Sequence, residues 1–475
     1  MDADHIHRLQ PMLSRYLKLF DDCFSRKDTR KHLSVYVEGQ LSDLDRKSVE
    51  PIALAAGVPV RTLQEFLSQH RWREDLACDR LQTIVAQEHA SDHSVGIIDE
   101  TSAVKKGDKT PGVQRQYLGT VGKQDNGIVT VHLAYAADDF HCLLGGELFL
   151  PESWSEDRQR CREAGIPENM TYRPKTDIAL ELYDRAVGNG VRFAWLTFDE
   201  WYGAKPEFLR ALEGRRQSFV AEVPKSFMGW IDPPRITHRP LRRSRGRGRK
   251  VPRIVSGSRP AQSVEYLLWW HAALKEQDWQ RFRVKDGEKG PMIWEVKHVP
   301  FYPQGPDSLP MGRWHLVIAR NVLDPGQLKF FISNAPPQTM VGTLLLVGFS
   351  RWPVERCFQD GKGEIGLDHY EGRRYKGLKR HLVISAISFL FLARTKQRLR
   401  GKKSRVNHVP NPLGCIGADP FVVALQPRLG QTDRTHRGND SEPTAEKRQR
   451  ATKPRQANSP KITPITHIPY TNTGL

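Results

Sequence analysis

The chain has 475 residues, room for about three domains and a substantial buried core. Its 73 Lys and Arg against 54 Asp and Glu give a formal charge of +19, which points to a polyanionic partner, nucleic acid first, though an ordinary basic soluble protein has the same balance. No apolar run reaches the ~18 residues of a membrane span, the polar start MDADHIHRLQ has no secretion-signal core, and six scattered cysteines without a C-x-x-C pair argue against a disulfide framework or a structural zinc.

Residues 1 to about 90 read as helical. Leu13, Tyr16, Leu17 and Phe20 mark one apolar helical face. In RKSVEPIALAAGVPVRTLQEFLSQHRW, Ser48 is a candidate cap, Pro51 falls in the first turn and Gly57 supplies a turn. The next helix carries Leu63, Phe66 and Leu67 inward and Arg61, Gln64 and Gln69 outward. Such a unit fits a helix-turn-helix, and any small helical hairpin fits the same pattern.

From Ser94 the pattern turns to strands. Val95 to Ile98 is an apolar run ending at Asp99. Ile128 to Tyr135 alternates, and Cys142 to Phe149 is a third strand. Lys175 to Gly190 has helical spacing, and Val191 to Phe198 is another apolar strand, ending at Asp199. Strands followed by crossover helices predict a mixed α/β sheet. Residues 204–345 read as a strand-rich insertion, with Ile293 to Val299 alternating and a hairpin of Trp314 to Arg320 and Leu328 to Ser333 around Asp324, Pro325 and Gly326. The run LRRSRGRGRK at 241–250 is a solvated segment or a track for a phosphate backbone. Leu382 to Ala393 reads as a buried helix. Beyond about residue 400 apolar residues thin out, which predicts a disordered basic tail.

The stretch Phe349 to Tyr370 carries Arg351, Glu355 and Lys362. At about 100° per residue these fall within roughly 40° of one another on a helix. Such a stripe can hold a metal ion at the acid and phosphates at the bases. With Asp99 and Asp199 it supplies three carboxylates on separate elements. Two divalent ions sharing such acids can drive in-line phosphoryl transfer. Lys105, Lys106 and Arg115 follow the first acid and are candidate phosphate contacts. Trp201 and Tyr202 are expected to pack, His381 to be a satisfied core residue, and Trp269, Trp270, Trp294 and Trp314 to sit in the insertion's core.

Three blocks resemble the catalytic blocks of bacterial insertion-sequence DDE transposases: DETSAVKKGDKTPGVQRQYLGTVGKQDN, LTFDEWYG and RWPVERCFQDGKGEIGLDHYEGRRYKGLKRH. The resemblance is to the group with a β-strand insertion before the last acid. LPESW at 150–154 and SNAP at 333–336 resemble it too, and the acids are 100 and 156 positions apart. It covers roughly residues 15 to 395. It implies an RNase H-like catalytic core over 91–203 and 346–398, an N-terminal helical DNA-binding region over 1–90, the β-rich insertion over 204–345, and a basic tail over 399–475.

The resemblance further implies that Asp99, Asp199 and Glu355 bind metal, Mg²⁺ with Mn²⁺ able to substitute, and catalyse DNA cleavage and strand transfer. Arg351 and Lys362 match the group's Tyr-Arg-Glu-Lys signature and are expected on DNA with Lys105, Lys106, Arg115, Arg61 and Gln64. The tyrosine position is Gly348, beside Phe349, so the hydroxyl that would hold a terminal 5′ phosphate is missing. The partners implied are element ends and target DNA, with a homodimer in the DNA complex and no membrane. The implied location is cytoplasmic, on the nucleoid when DNA is bound. The alternatives are a transposase-derived DNA-binding regulator without catalysis and a metal-dependent nuclease without strand transfer.

Overall fold

The computed structural model describes residues 3–238, 252–287 and 290–401. The Gly/Arg run at 241–250 and the tail beyond 401 lie outside the described residues. The chain opens with helices α1 (Ala3–Leu17), α2 (Lys27–Gln40), α3 (Val49–Ala55), α4 (Val60–Ser68) and α5 (Glu74–Glu88), with a 3₁₀ turn, Lys18–Cys23, after the first. The expected face of Leu13, Tyr16, Leu17 and Phe20 is buried. Gly57 turns the chain between α3 and α4 at φ +65°, where a Cβ would be strained. Leu63, Phe66 and Leu67 then point inward. Ser48 occupies the cap position of α3, but its hydroxyl makes no capping bond.

The sheet begins with β1 (Val95–Val104), β2 (Gln114–Leu118), β3 (Lys123–Ala137) and β4 (Phe140–Leu148). Two short helices, α6 (Glu152–Glu156) and α7 (Arg158–Ala164), lead to the crossover helix α8 (Lys175–Gly188). Then come β5 (Trp195–Phe198), α9 (Glu200–Gly203), α10 (Pro206–Gly214) and β6 (Phe219–Val223). β1, β3 and β4 pair antiparallel in sequence, whereas β5 runs parallel to β1 and β6 parallel to β5. The order β4-β3-β1-β5-β6 therefore joins an antiparallel half to a parallel half. Every residue from Gly127 to Ala137 on β3 is buried, because α8 covers one face and α14 the other.

Next follow β7 (Met228–Trp230), β8 (Ile236–Thr237), β9 (Arg253–Ile254), β10 (Gln262–Ser263), α11 (Val264–Trp270), α12 (Ala272–Lys275), β11 (Gln280–Gly287), β12 (Gly290–Pro303), β13 (Trp314–Asn321) and β14 (Leu328–Ser333). β14 pairs with β6, so β7 and β10 to β14 extend the same sheet, while β8 and β9 form a separate two-stranded one. The parallel strand β6 lies past residue 203, where the sequence reading ended the first core segment. Trp294 and Trp314 are buried, but Trp269 and Trp270 stand 52% and 69% exposed on α11, against the expectation for all four. The seven-residue α11 buries only Val264, Leu267 and Leu268, so its two tryptophans fall on the outer side.

The chain closes with α13 (Val341–Gly348), α14 (Trp352–Ile365) and α15 (Tyr375–Gly401). α15 packs on β4 and on α2, α4 and α5 together. Its buried polar residues all find partners. Arg380 donates to the carbonyls of Phe66, Leu67 and Trp72 at 3.0–3.2 Å and pairs with Glu74 at 3.0 Å. His381 meets the Tyr36 hydroxyl at 3.0 Å and the Leu367 carbonyl at 3.1 Å, as a satisfied core histidine. The Gln40 side chain amide donates to Ser385 and accepts from Ser388, both at 2.8 Å. The N-terminal helices and the sheet therefore share one core. Five of the six cysteines are free and buried; Cys415 lies outside the described residues. Among the described residues no helix is long and apolar enough to cross a membrane.

Replacing Arg380 by Met would leave the half-buried Glu74 without this partner and the Leu67 and Trp72 carbonyls without this donor, while Phe66 keeps the Trp72 indole N–H. Unfolding in urea should show a loss of about 3–5 kcal/mol. A loss under 1 kcal/mol would mean that solvent reaches these groups.

Candidate active site

Asp99 and Asp199 are brought together by strand register. Ile98 pairs with Phe198 across the parallel strands β1 and β5, so the next residue on each strand is an aspartate at the same height. β5 ends at Phe198, and Asp199 caps α9, its Oδ1 accepting from the backbone N–H groups of Trp201 and Tyr202 at 3.1 and 3.2 Å. β1 does not end at Asp99. It continues to Val104 because β3 still pairs with it beyond the point where β5 stops. Asp99 thus lies within a strand, 9% exposed, at the open end of its parallel neighbour.

The row continues on both sides. Phe198 pairs with Ala221, so Glu222 of β6 follows Asp199. On the other flank His132 of β3 is the register partner of Asp99. Gly203 fixes the spacing on the Glu222 side: a Cβ there would meet the Glu222 carbonyl oxygen at 1.9 Å. Only glycine lets α9 lie this close on β6.

Arg351 immediately precedes α14 and reaches into the row. Its guanidinium donates to Asp99 Oδ2 at 3.4 Å and to Glu222 Oε2 at 3.2 Å. Lys329 of β14 pairs with the other Glu222 oxygen. Asp99 Oδ1 accepts from the Glu100 N–H at 2.7 Å. Burial pushes the Asp99 carboxyl up to about 6, with Arg351 pulling it down and the Asp199 carboxylate adding to the rise. Tyr202 is fully buried beneath the acids, its hydroxyl without a partner. Its pKa is raised by burial first and then by Glu100, Asp99 and Asp199.

Glu355 lies in the first turn of α14, one helical turn beyond the residue that touches Asp99, and its side chain is exposed. Among the described residues no group of three or more His, Cys, Asp or Glu side chains is close enough to hold a metal ion. The pair Asp99 and Asp199 suits a divalent cation nonetheless. The like-charge pair, Asp99 buried and Asp199 half-buried, already faces one cationic group, Arg351, and Asp199 accepts its backbone bonds on Oδ1.

The other predicted residues separate. The Lys362 ammonium turns to the Ser102 carbonyl at 3.0 Å and the Thr120 hydroxyl at 2.8 Å. Lys105 donates to the carbonyls of Asp368 and Tyr370 at 3.1 and 2.6 Å. Both lysines line one small cavity, and either would have to exchange these bonds to meet a phosphate. Lys106 and Arg115 are exposed, on the loop after β1 and on the edge strand β2. Arg61 and Gln64 are exposed on α4, Arg61 paired with Glu65 at 2.8 Å. Tyr202 packs, as expected, but Trp201 is 41% exposed with Lys175 and Lys205 about its ring at 5.2 and 5.0 Å.

The family model described as DDE superfamily endonuclease matches residues 19–291, more than half of the chain and the span that holds Asp99 and Asp199. The chain belongs to the DDE superfamily endonucleases. Arg351 and Glu355 of this family member lie beyond the matched span. It is also similar to the probable transposase for insertion sequence element IS701 of Microchaete diplosiphon, 33% identical over 213 residues. That match covers 44% of this chain and 51% of the relative, so the chain spans about half the length of the curated relative. Endonucleases of this superfamily use divalent metal ions.

Glu222, missed in the sequence, sits in FVAEV, where one acid among four apolar residues reads as a strand with a single polar position. The signal that could have found it is its place at the end of the third parallel strand.

A carboxyl raised from 3.8 to about 6 destabilises the fold as pH rises through that window, because the folded chain holds the proton that the unfolded chain releases. The metal-free Asp99→Asn protein should melt above the wild type at pH 7.5, by up to about 2–3 kcal/mol in stability, and the gap should close near pH 4. Equal melting at pH 7.5 would show that Asp99 is not strained by its surroundings.

Proposed function

We propose that this endonuclease is an insertion-sequence transposase that cuts DNA at the ends of its element and joins the freed 3′ hydroxyls to target DNA. The carrying observation is the pair of neighbouring aspartates at the open end of β5, one buried within β1 and one capping α9. The sheet order, antiparallel through β4, β3 and β1 and parallel through β5 and β6, supports an RNase H-like core. The printed name of the similar IS701 protein supports the transposase reading over a nuclease without strand transfer.

In this reading Asp99 and Asp199 hold divalent ions, Mg²⁺ in the cell, and Glu355 completes the set from the first turn of α14. Held by these residues, two such ions would supply the activation of a water or a 3′ hydroxyl and the charge that stabilises the leaving oxygen of an in-line transfer. The backbone N–H groups of Glu100, Trp201 and Tyr202 orient the two aspartates so that one oxygen of each faces the site. Arg351, Lys106, Arg115 and the lysines beside Trp201 face phosphate, and Lys105 and Lys362 do so once released from their carbonyls. Residues 1–90 recognise the element end through Arg61 and Gln64. Two ends must be held together, so the working form is at least a homodimer.

Incubating the protein with a labelled element end and Mg²⁺ distinguishes joined product, cleavage alone and binding alone. Glu355→Gln should bind the end as well as wild type while cleavage falls by several orders of magnitude. Full cleavage by that variant would return Glu355 to an exposed helix acid.

Arg61→Ala combined with Gln64→Ala should weaken binding to the end more than to random DNA in a gel-shift comparison. An equal loss on both DNAs would reduce the contact to charge alone.

A further inference from the structure

Arg351 sits where a metal ion would have to come. Asp99 Oδ1 and Asp199 Oδ1 are taken by backbone N–H groups, which leaves the Oδ2 atoms for a cation. On Asp99 that atom already faces the Arg351 guanidinium, at a long 3.4 Å. The guanidinium does not close on Asp99 as a two-pronged fork, the arrangement that maximises an arginine–carboxylate pair. Its other terminal nitrogen is held 3.2 Å from Glu222, and its Nε has no partner.

Glu222 is itself firmly placed. The parallel register sets it beside Asp199, Lys329 binds its second oxygen, and the Gly203 backbone packs on its carbonyl. Lys329 holds its Oε1, which leaves Oε2 turned towards Arg351.

We infer that Glu222 is a positioning residue that holds Arg351 off Asp99 and keeps a resting place for the guanidinium when a divalent cation takes Asp99 Oδ2. The inference rests on the metal-dependent reading above and assigns Glu222 no contact with the ion. When the cation arrives, the long bond to Asp99 breaks and the bond to Glu222 remains. Without the Glu222 carboxylate, Arg351 swings both terminal nitrogens onto Asp99 and competes with the metal.

The test is Mn²⁺ affinity, measured on the full chain without DNA by titration calorimetry and by the free-ion paramagnetic signal. Glu222→Gln should weaken Mn²⁺ binding by about 10–100-fold, the usual effect of losing a group that orients a metal ligand. Arg351→Ala should bind at least as tightly as wild type. In the Arg351→Ala background, Glu222→Gln should then change affinity by less than about twofold, because the residue through which it acts is gone.

Glu222→Asp keeps the charge but withdraws the carboxylate, and guards against a Gln variant that does not fold. It should weaken Mn²⁺ severalfold if position matters, and leave it unchanged if only the field of the acid matters. Equal weakening by Glu222→Gln in both backgrounds, or an unchanged Glu222→Asp, overturns the inference while leaving the metal reading in place. A wild-type chain that binds no Mn²⁺, or binds it equally after Asp199→Asn, overturns the metal reading and this inference with it.

Discussion

Like charges held in a row are the constraint around which this site is built. Parallel pairing of β1, β5 and β6 sets Asp99, Asp199 and Glu222 side by side, Asp99 within β1, Asp199 just beyond β5 and Glu222 near the end of β6. Three carboxylates at neighbouring strand positions in a half-buried place repel one another strongly. The protein offsets this with cations from outside the parallel strands: Arg351 from the start of α14 and Lys329 from β14. Asp99, the most buried of the three, carries a raised pKa, from its burial first and from the Asp199 carboxylate after it. That residual strain is what a divalent cation would relieve, so an unfavourable feature of the metal-free fold is a favourable one for metal binding.

The same logic explains why the insertion does not stand apart. Lys329 lies in the strand that pairs with β6, so the insertion supplies half of the charge balance of Glu222. The N-terminal helices are equally tied in. Arg380, His381, Ser385 and Ser388 are buried polar groups on α15, and their partners come from the N-terminal helices, from the segment between α4 and α5, and from the Leu367 loop. A buried polar group left without its partner costs more than it gained by pairing. The surface of α4 that displays Arg61 and Gln64 is therefore rigidly referenced to the sheet.

Much of this was legible in the chain. The apolar runs before Asp99 and Asp199 mark central strands, and the crossover helix between them forces β5 parallel to β1. α8 and the β13–β14 hairpin lie where periodicity and turn residues put them. What stayed hidden depends on long-range pairing. β1 runs past Asp99 because β3 supports it, and no local pattern in ETSAV announces that partner. Lys105 and Lys362 look like phosphate ligands in one dimension, but here their ammonium groups donate to carbonyls and a hydroxyl brought from distant parts of the chain, a tertiary fact that no spacing carries. Glu222 belongs with the acids only once three strands are placed in register.

The departure at Gly348 follows from packing rather than from the metal chemistry. A Cβ at that position would stand 3.1 Å from the Phe331 ring and 3.3 Å from Val220, so the backbone of α13 lies directly on β14 and β6. The neighbouring Phe349 ring is already engaged, packed on Trp294 and Phe331 with centroids 4.9 and 5.4 Å away. An aromatic side chain at 348 would have to push α13 off the two strands that carry Glu222 and Lys329. Close approach at Gly348 and at Gly203 thus serves one end: both glycines let helices settle onto β6 from opposite directions and keep Glu222 in reach of Arg351. In this chain position 348 is given over to the close packing of α13 on the Phe331 ring and Val220.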